Sequence, residues 1–505
     1  MALVPSPDGK RLYVCNRFNN SVSAYDAQTG REIFSVAVAR EPVAAVLTPD
    51  GRLLFVANHL HTGRADADVV AAEVSVVDTA AGKEIKRIPL PNGSSLLRGV
   101  CISPDGKYVC VTHVLARFHL PATQLERGWM NTSGLSLIDV AQMKLLNTVL
   151  LDNVDSGAAN PWAVAWTGDG KFICATHAGT KEMSVIDAGA LLAKLAKLPE
   201  SLELARTPDY SSATRVAADV PNDLAFLVGV RKRIKLDGRG PRALAFAGKK
   251  AYAANYFSDS LGVVDLEATN APPASIRLAA PQEPSLVRQG EHYFNDASIC
   301  FQGWQSCASC HSSDARVDGL NWDLLNDGIG NPKNSKSLLL SYQTPPTTSL
   351  SVREDAYMST RAGIRHILFT VQPPEVATAL DEYLKSLKPI PSPSLVNGRL
   401  SGAAQRGEKV FQHESVGCAE CHPQGLYSDL ESYDVGTRGK FDKPTDLFDT
   451  PTLVELWRTA PYLHDGSAAT LRELLTTRNA EDKHGKTRQL TPAQIDDLVA
   501  YLLSL

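Results

Sequence analysis

From its first residues to about position 280, the chain alternates apolar and polar positions in short runs, each introduced by a similar polar turn. The turns are Ser6-Pro7-Asp8-Gly9, Thr48-Pro49-Asp50-Gly51, Ser103-Pro104-Asp105-Gly106 and Thr167-Gly168-Asp169-Gly170, with a degenerate fifth at Ala247-Gly248-Lys249. Proline and Asp-Gly favour tight turns, and the alternation that follows predicts a strand. A second strand in each unit ends in aspartate, as in Val22-Ser23-Ala24-Tyr25-Asp26 and Leu261-Gly262-Val263-Val264-Asp265. Beyond 285 the period changes. Residues 375–387 and 491–505 space their apolar side chains three and four apart, which predicts amphipathic helices. The expected fold is multidomain: an all-β half, a Pro/Glu linker at 281–285, then a mostly α half.

Four short antiparallel strands per unit, repeated along 1–280, predict a β-propeller with five visible blades. Seven residues after each turn glycine stand Asn16, Asn58, His113, His177 and Asn255. These equivalent positions are expected on one rim. The loops after blades two and three are long and carry His59, His61 and His119, and insertions on one face of a repeat often mark a binding face. Two readings stay open for His113 and His177, with His59. They ligate a metal or substrate, or they hydrogen-bond to hold strand ends. Blade four carries an Ala/Leu/Lys-rich insertion at 188–198 that reads as a helix.

The α half contains Cys307-Ala308-Ser309-Cys310-His311 and Cys418-Ala419-Glu420-Cys421-His422. Each is a C-x-x-C-H, the attachment pattern of a c-type haem: two thiols bond one porphyrin and the adjacent His ligates its iron. The surroundings repeat as well. Gly290-Glu291 with Phe294 precedes the first motif, and Gly407-Glu408 with Phe411 precedes the second. Glu382-Tyr383-Leu384-Lys385-Ser386-Leu387 and Ala500-Tyr501-Leu502-Leu503-Ser504-Leu505 close the two units. The expectation is two tandem cytochrome c domains, 286–390 and 398–505, with two covalently bound haems. A zinc site needs a second Cys/His pair near each motif, and none is present.

A net charge of −4 and the lack of a Lys/Arg-rich run argue against a general nucleic-acid binder. No apolar stretch is long enough for a membrane span. Covalent haem attachment points to the periplasm. Met1-Ala2-Leu3-Val4-Pro5 reads as part of a strand rather than a signal peptide, so the native N-terminus is expected further upstream. Cys15, Cys110 and Cys174 fall in strand-like runs and are expected as buried thiols.

Two resemblances follow. Leu12-Tyr13-Val14-Cys15-Asn16 and Leu54-Phe55-Val56-Ala57-Asn58 resemble the signature strand of YVTN β-propellers, which commonly have seven blades. Residues 287–505 resemble the bacterial di-haem cytochrome c peroxidase and MauG family. That likeness rests on both C-x-x-C-H motifs, the Gly-Glu lead-ins, Thr450-Pro451-Thr452-Leu453, and Thr459-Ala460-Pro461-Tyr462-Leu463-His464-Asp465-Gly466. It implies an oxidoreductase that uses peroxide or oxygen at one haem while the other relays electrons. The partners implied are a small redox protein or quinol-chain donor and an unidentified substrate.

The chain departs from those peroxidases in two places. Leu447, Phe448 and Asp449 stand where they supply a Met ligand, and Leu350-Ser351-Val352-Arg353 replaces their W-D-G-R segment, without its Trp. Met358 is the only Met of the α half. His464 is the candidate distal ligand of the second haem, or else a hydrogen-bond partner of a propionate or the backbone. His366, on a helix expected at 361–369, ligates or lines the first haem, or is a core residue. His292 and His413 are expected to face solvent. Trp304 and Trp322 are candidate bridges between haems, or core. Asp318, Asp323, Asn326 and Asp327 form an oxygen-rich run for a Ca²⁺ of the kind this family often keeps, without EF-hand spacing. Catalytic residues other than the iron ligands cannot be assigned. A non-catalytic di-haem electron carrier with a docking propeller is the alternative, and a ligand-binding propeller reported on by the haems is a third.

Overall fold

The computed structural model describes residues 2–119, 130–200, 214–268, 270–280, 282–324 and 330–505. Its N-terminal region is a series of small antiparallel sheets in chain order. The first holds β1 (Leu3–Pro5), β2 (Arg11–Asn16), β3 (Ser21–Asp26) and β4 (Glu32–Ala37). The second holds β5 (Pro42–Leu47), β6 (Leu53–Asn58), β7 (Glu73–Asp78) and β8 (Lys83–Pro89). The third adds a short β9 (Ser94–Ser95) to β10 (Val100–Ile102), β11 (Tyr108–Ala116), β12 (Asn131–Asp139) and β13 (Lys144–Leu150). The fourth is β14 (Pro161–Trp166), β15 (Phe172–His177), β16 (Glu182–Asp187) and β17 (Arg231–Lys235). The fifth is β18 (Pro241–Ala247), β19 (Lys250–Asn255), β20 (Ser260–Asp265) and β21 (Ala274–Arg277). Neighbouring sheets meet through their first long strands, β5 on β10, β10 on β14 and β14 on β18.

The repeated turn explains the repeated sheet. In each well-formed copy the Ser or Thr hydroxyl donates to the Asp two residues on: Ser6 to Asp8 at 2.7 Å, Ser103 to Asp105 at 2.6 Å, Thr167 to Asp169 at 2.7 Å. The glycine N–H then donates back to the Ser or Thr carbonyl, as Gly51 does to Thr48 at 2.8 Å. Those glycines sit at φ near +70°, which a side chain disfavours. The aspartate that ends each third strand has its own task. Asp26 accepts from the N–H groups of Gln28 and Thr29, and Asp187 caps α1 (Ala188–Ala196) through Ala190 N–H. Cys15, Cys110 and Cys174 are buried in the sheets.

The C-terminal region is helical. Its α2 (Leu286–Asn295), α3 (Ala356–Ala362) and α4 (Pro374–Lys385) flank the first Cys motif. Next come α5 (Gly402–Phe411), α6 (Cys418–Cys421), α7 (Leu471–Leu475) and α8 (Pro492–Leu502). The expected helix at 361–369 is instead the end of α3 followed by a wider π-turn at Gly363–Ile367.

The two units share one packing device. A Cβ on Gly290 would lie 1.9 Å from the Ala379 carbonyl, and one on Gly407 would lie 1.9 Å from the Asp497 carbonyl. So α2 meets α4, and α5 meets α8, at backbone contact. Phe294 packs on Tyr383 and Phe411 on Tyr501, with ring centroids 5.4 and 5.3 Å apart. The Gly-Glu-x-x-Phe lead-ins and the closing tyrosines are thus the two sides of one helix crossing.

Sheets and helices dock closely, in part through main chain. Ala65 N–H donates to Gly466 O, Gly157 N–H to Gln302 O and Ala297 N–H to Gly179 O, each at 2.9 Å. At Gly157 even a Cβ would fall 2.3 Å from the Trp304 Cα. Among the described residues, no helix is long and apolar enough to cross a membrane.

Gly407→Ala is expected to force α5 off α8 and to cost about 3 kcal/mol, an overpacking penalty without a flexible neighbour to yield. The urea midpoint measures it; a midpoint equal to the parent's would refute the contact as drawn.

Candidate functional site

The first motif opens a tight turn at Cys307–Ser309. Residues from both halves hold it. Asn160 Nδ2 donates to Ser306 Oγ at 2.8 Å and to Asn295 O at 3.1 Å, and Ser309 Oγ donates to Asn160 Oδ1 at 2.9 Å. The turn brings His311 N–H to the Cys307 carbonyl at 3.0 Å. In the second motif Gly417, at φ +80°, starts the short helix α6, and His422 N–H reaches the Cys418 carbonyl at 3.0 Å. Both motifs therefore wind two thiols and one imidazole around a single turn.

The imidazoles are oriented alike. His311 Nδ1 lies 3.1 Å from the Lys336 carbonyl and His422 Nδ1 lies 2.8 Å from the Tyr427 carbonyl. A carbonyl only accepts, so Nδ1 carries the proton in each ring and Nε2 is left as the ligand nitrogen, the arrangement metal-bound histidines favour. Burial pushes both rings below the ordinary histidine range, which keeps them neutral. Burial also pushes the Cys307 thiol up to about 12 and Cys418 up to about 11, and raises Cys310 and Cys421. These are apolar slots that suit a porphyrin edge rather than electropositive sites that create thiolates. Around Cys310 the slot is built by sheet and helix residues together, including Leu60, Val114, Phe118, Met130, Val317 and Trp322. Asn131 Nδ2 approaches Cys310 Sγ at 3.3 Å.

A residue outside the sequence expectations stands by the second motif. The His484 ring lies 6.5 Å from the His422 ring, centroid to centroid, at an interplanar angle of 38°. Two metal–imidazole bonds of about 2 Å each fit between rings at that separation. His484 Nδ1 is buried with no hydrogen-bond partner, and burial followed by the proximity of His422 pushes the ring down to about 4. The chain places this loop by packing Gly485 against the motif, where a Cβ would stand 3.6 Å from Cys418 Sγ. Asn479 Nδ2 donates to the carbonyls of both His484 and Gly485, at 3.0 and 2.7 Å. A lone His in a polar loop gave little warning of this in the sequence.

The other expected residues fall elsewhere. His464 Nε2 is bonded to Asp442 Oδ2 at 2.7 Å, and its ring stacks on Phe448 at 3.8 Å. Its Nε2 is engaged by the Asp442 carboxylate, which is neither the iron nor the propionate or backbone partner expected of it. His366 is exposed on the π-turn. His292, expected in solvent, packs on Phe257 and lies 3.3 Å from Asp296 because α2 turns it against the fifth sheet. His413 is exposed. Trp304 and Trp322 are buried core residues, and Trp322 Nε1 donates to Asp318 at 2.8 Å. Asp318 also accepts from Ser335 Oγ and Leu320 N–H, and Asp323 accepts from Gly330 N–H. Asn326 and Asp327 lie outside the described residues. Among those described, no three His, Cys, Asp or Glu side chains gather as a metal site.

The rim histidines take hydrogen bonds. His113 Nε2 meets Ser136 Oγ and His177 Nε2 meets Ser184 Oγ, both at 2.8 Å, just as Asn58 meets Ser75 at 3.0 Å. Position by position, a third-strand serine ties the end of the second strand. His59 Nδ1 bonds the Leu97 carbonyl at 2.8 Å, while His61 is buried with neither ring nitrogen partnered.

Comparison with known proteins agrees with this chemistry. A family model described as RoxA-like, cytochrome c-like matches residues 448–483. The chain is 32% identical to hydrazine synthase subunit gamma of Kuenenia stuttgartiensis over 279 residues, 45% of this chain and 79% of that protein. It is 26% identical to hydrazine synthase subunit beta of the same organism over 229 residues, 44% of this chain and 53% of that protein. With the methylamine utilization protein MauG of Methylorubrum extorquens it shares 24% identity over 290 residues, 45% of this chain and 80% of that protein.

The Asp442–His464 pair makes stability depend on pH. Burial alone would raise Asp442, but hydrogen bonds from His464, Gly439 N–H and Lys333 hold it well below the usual carboxylate range. A depressed carboxylate stabilises the fold above its unfolded value near 4 and loses that contribution as pH falls further. The urea midpoint is therefore expected to drop between pH 5 and pH 3, and Asp442→Asn to flatten that limb. An unchanged limb in the variant would show that this carboxylate does not titrate as described.

Proposed function

Because the chain belongs to the family of the hydrazine synthase gamma subunit and is a c-type haem oxidoreductase, we propose that it carries two haems with unequal tasks. Cys307, Cys310 and His311 would hold a reactive haem. Cys418, Cys421, His422 and His484 would hold an electron relay. One observation carries this reading: His484 stands across from His422, whereas no ring pairs with His311 among the described residues. When bound, haem supplies an iron that exchanges single electrons and takes a small ligand where a sixth position is open.

The chain's own residues then have definite work. The Lys336 and Tyr427 carbonyls fix the ligand histidines in one tautomer. The apolar walls at Cys310 exclude water from the first centre. Asp314, three residues past His311, is bound by Arg458 at 2.7 Å, and Arg316 is bound by Glu455 at 2.7 Å. Those pairs would fix the first unit (286–390) against the second (398–505), so that electrons cross a set distance. The sheets at 1–280 are read as five blades of a propeller that covers the first motif and presents the substrate. That substrate is a small molecule, peroxide or oxygen, or a small nitrogen compound of the kind the relatives' name suggests. A small redox protein or the quinol chain would exchange electrons at the second centre, in the periplasm.

Electron paramagnetic resonance of the ferric full chain, matured in a host that attaches c-type haem, tests this. One high-spin and one low-spin signal are expected. His484→Ala should convert the low-spin signal to high-spin while two haems per chain remain attached. Two low-spin signals that survive partial reduction would leave electron transfer alone, and a parent chain without covalent haem would remove the reading.

A further inference from the structure

One position recurs at the start of four consecutive sheets, within β5, β14 and β18 and two residues before β10. Val43, Arg98, Trp162 and Arg242 each lie five residues before the Ser, Thr or Ala that begins the repeated turn. In β5, β14 and β18 the pairing register slips there, between Pro42 and Ala44, Pro161 and Val164, and Pro241 and Ala243. Such a bulge re-aims a side chain away from the direction that regular pairing sets. Where the third, fourth and fifth sheets meet, Trp162 and Arg242 come together with Arg98, which precedes β10. The Arg98 guanidinium lies 4.0 Å from the Trp162 ring centroid and that of Arg242 lies 4.3 Å from it. Arg242 also lies 4.1 Å from the Tyr256 ring.

Neighbouring arginines have carboxylates. Arg17 pairs with Glu41, Arg288 with Glu291, Arg316 with Glu455 and Arg458 with Asp314. Arg98 and Arg242 have none within ion-pair distance among the described residues. Arg98 Nη1 donates to Ser313 Oγ and Arg242 Nη2 to Asn295 Oδ1, both at 3.1 Å, and Arg242 Nε is buried with no acceptor. Burial, then the charge of Arg242, pushes Arg98 down to about 9; burial pushes Arg242 down to about 10. Asp314 and Glu41 oppose this at Arg98 and Glu291 opposes it at Arg242, but each is already bound by another arginine, Arg458, Arg17 and Arg288 in turn. A cavity of about 340 Å³ opens on the Tyr256 side of Arg242, lined also by Arg288 and Asp259, and does not reach Arg98 or Trp162. Desolvated like charges without a counter-ion are costly, and a guanidinium fork matches a planar or tetrahedral oxyanion.

We propose that Arg98 and Arg242, packed on Trp162, bind a small inorganic oxyanion where the sheets face the first haem motif. Ser313 is two residues past His311, so the anion would sit beside that centre. The site goes beyond the haem reading and stands without it. A haem propionate offers the same chemistry, and the test separates the two sources.

Isothermal titration of the haem-loaded full chain with inorganic phosphate, in a zwitterionic buffer of low salt, is expected to show one saturable site per chain. Arg98→Gln and Arg242→Gln should each weaken it at least tenfold, and Arg98→Lys should recover part of the loss. Melting curves identify any variant that fails to fold, in which case Arg98→Lys alone decides, through a weakening of severalfold. Absence of saturable heat in the parent overturns the proposal, as does equal affinity in parent and folded variants. If phosphate does not bind but Arg98→Gln shifts the potential of one haem, the anion is a propionate and the inorganic site is refuted.

Discussion

Glu455 is a carboxylate with 1% of its surface exposed, and much of the haem half is arranged around it. Arg316 holds it through Nε at 2.7 Å and Nη2 at 3.0 Å, Ile390 N–H donates to it at 2.6 Å, and Arg458 stands 3.5 Å away. Arg458 continues to Asp314, and Arg17 of the sheets approaches Asp314 at 3.9 Å. Charges taken this far out of water are tolerable only as a complete set, because removing one member strands another. The network joins the chain just beyond the first Cys motif, the linker between units, the second unit and the first sheet. It gives the molecule little freedom to vary the separation of its two Cys motifs.

Much of this was legible in the sequence because the residues act locally. Ser/Thr-x-Asp-Gly turns close over four residues, and a C-x-x-C-H needs only one helical turn to converge. The repeated Gly-Glu and closing Tyr were visible as a pattern, but their cause was not. A glycine that permits backbone contact looks in sequence like any other helical glycine. His464 drew notice because it sits in a familiar motif, yet its nearest partners are Asp442 and Phe448. His484 drew none, since its approach to His422 exists only after the intervening residues fold. Long-range placement is what a linear reading lacks.

The rim positions teach a related lesson. Asn58, His113 and His177 differ in chemistry but do the same thing, each meeting a serine one strand over. A His in such a series makes the hydrogen bond that an Asn makes at the equivalent position of another sheet. The bulge positions behave in the opposite way. There the residues are Val43, Trp162 and Arg242, which differ in chemistry, and the meeting of Trp162 with Arg242 follows strand geometry rather than a repeated bond.

The seam between sheets and helices uses main-chain groups at Ala65, Gly157, Gly179, Gln302 and Gly466. An amide offers the same donor and acceptor whatever side chain it bears. At those amides a substitution on one side asks for no matching change on the other, unlike at the side-chain pairs Asn160 with Ser306 and Arg242 with Asn295. Gly157 and Gly466 are exceptions, since a side chain on the first would strike the Trp304 backbone and one on the second the Ala65 side chain. The mutual orientation of sheets and helices is thus written partly in where small residues stand and only partly in which side chains pair.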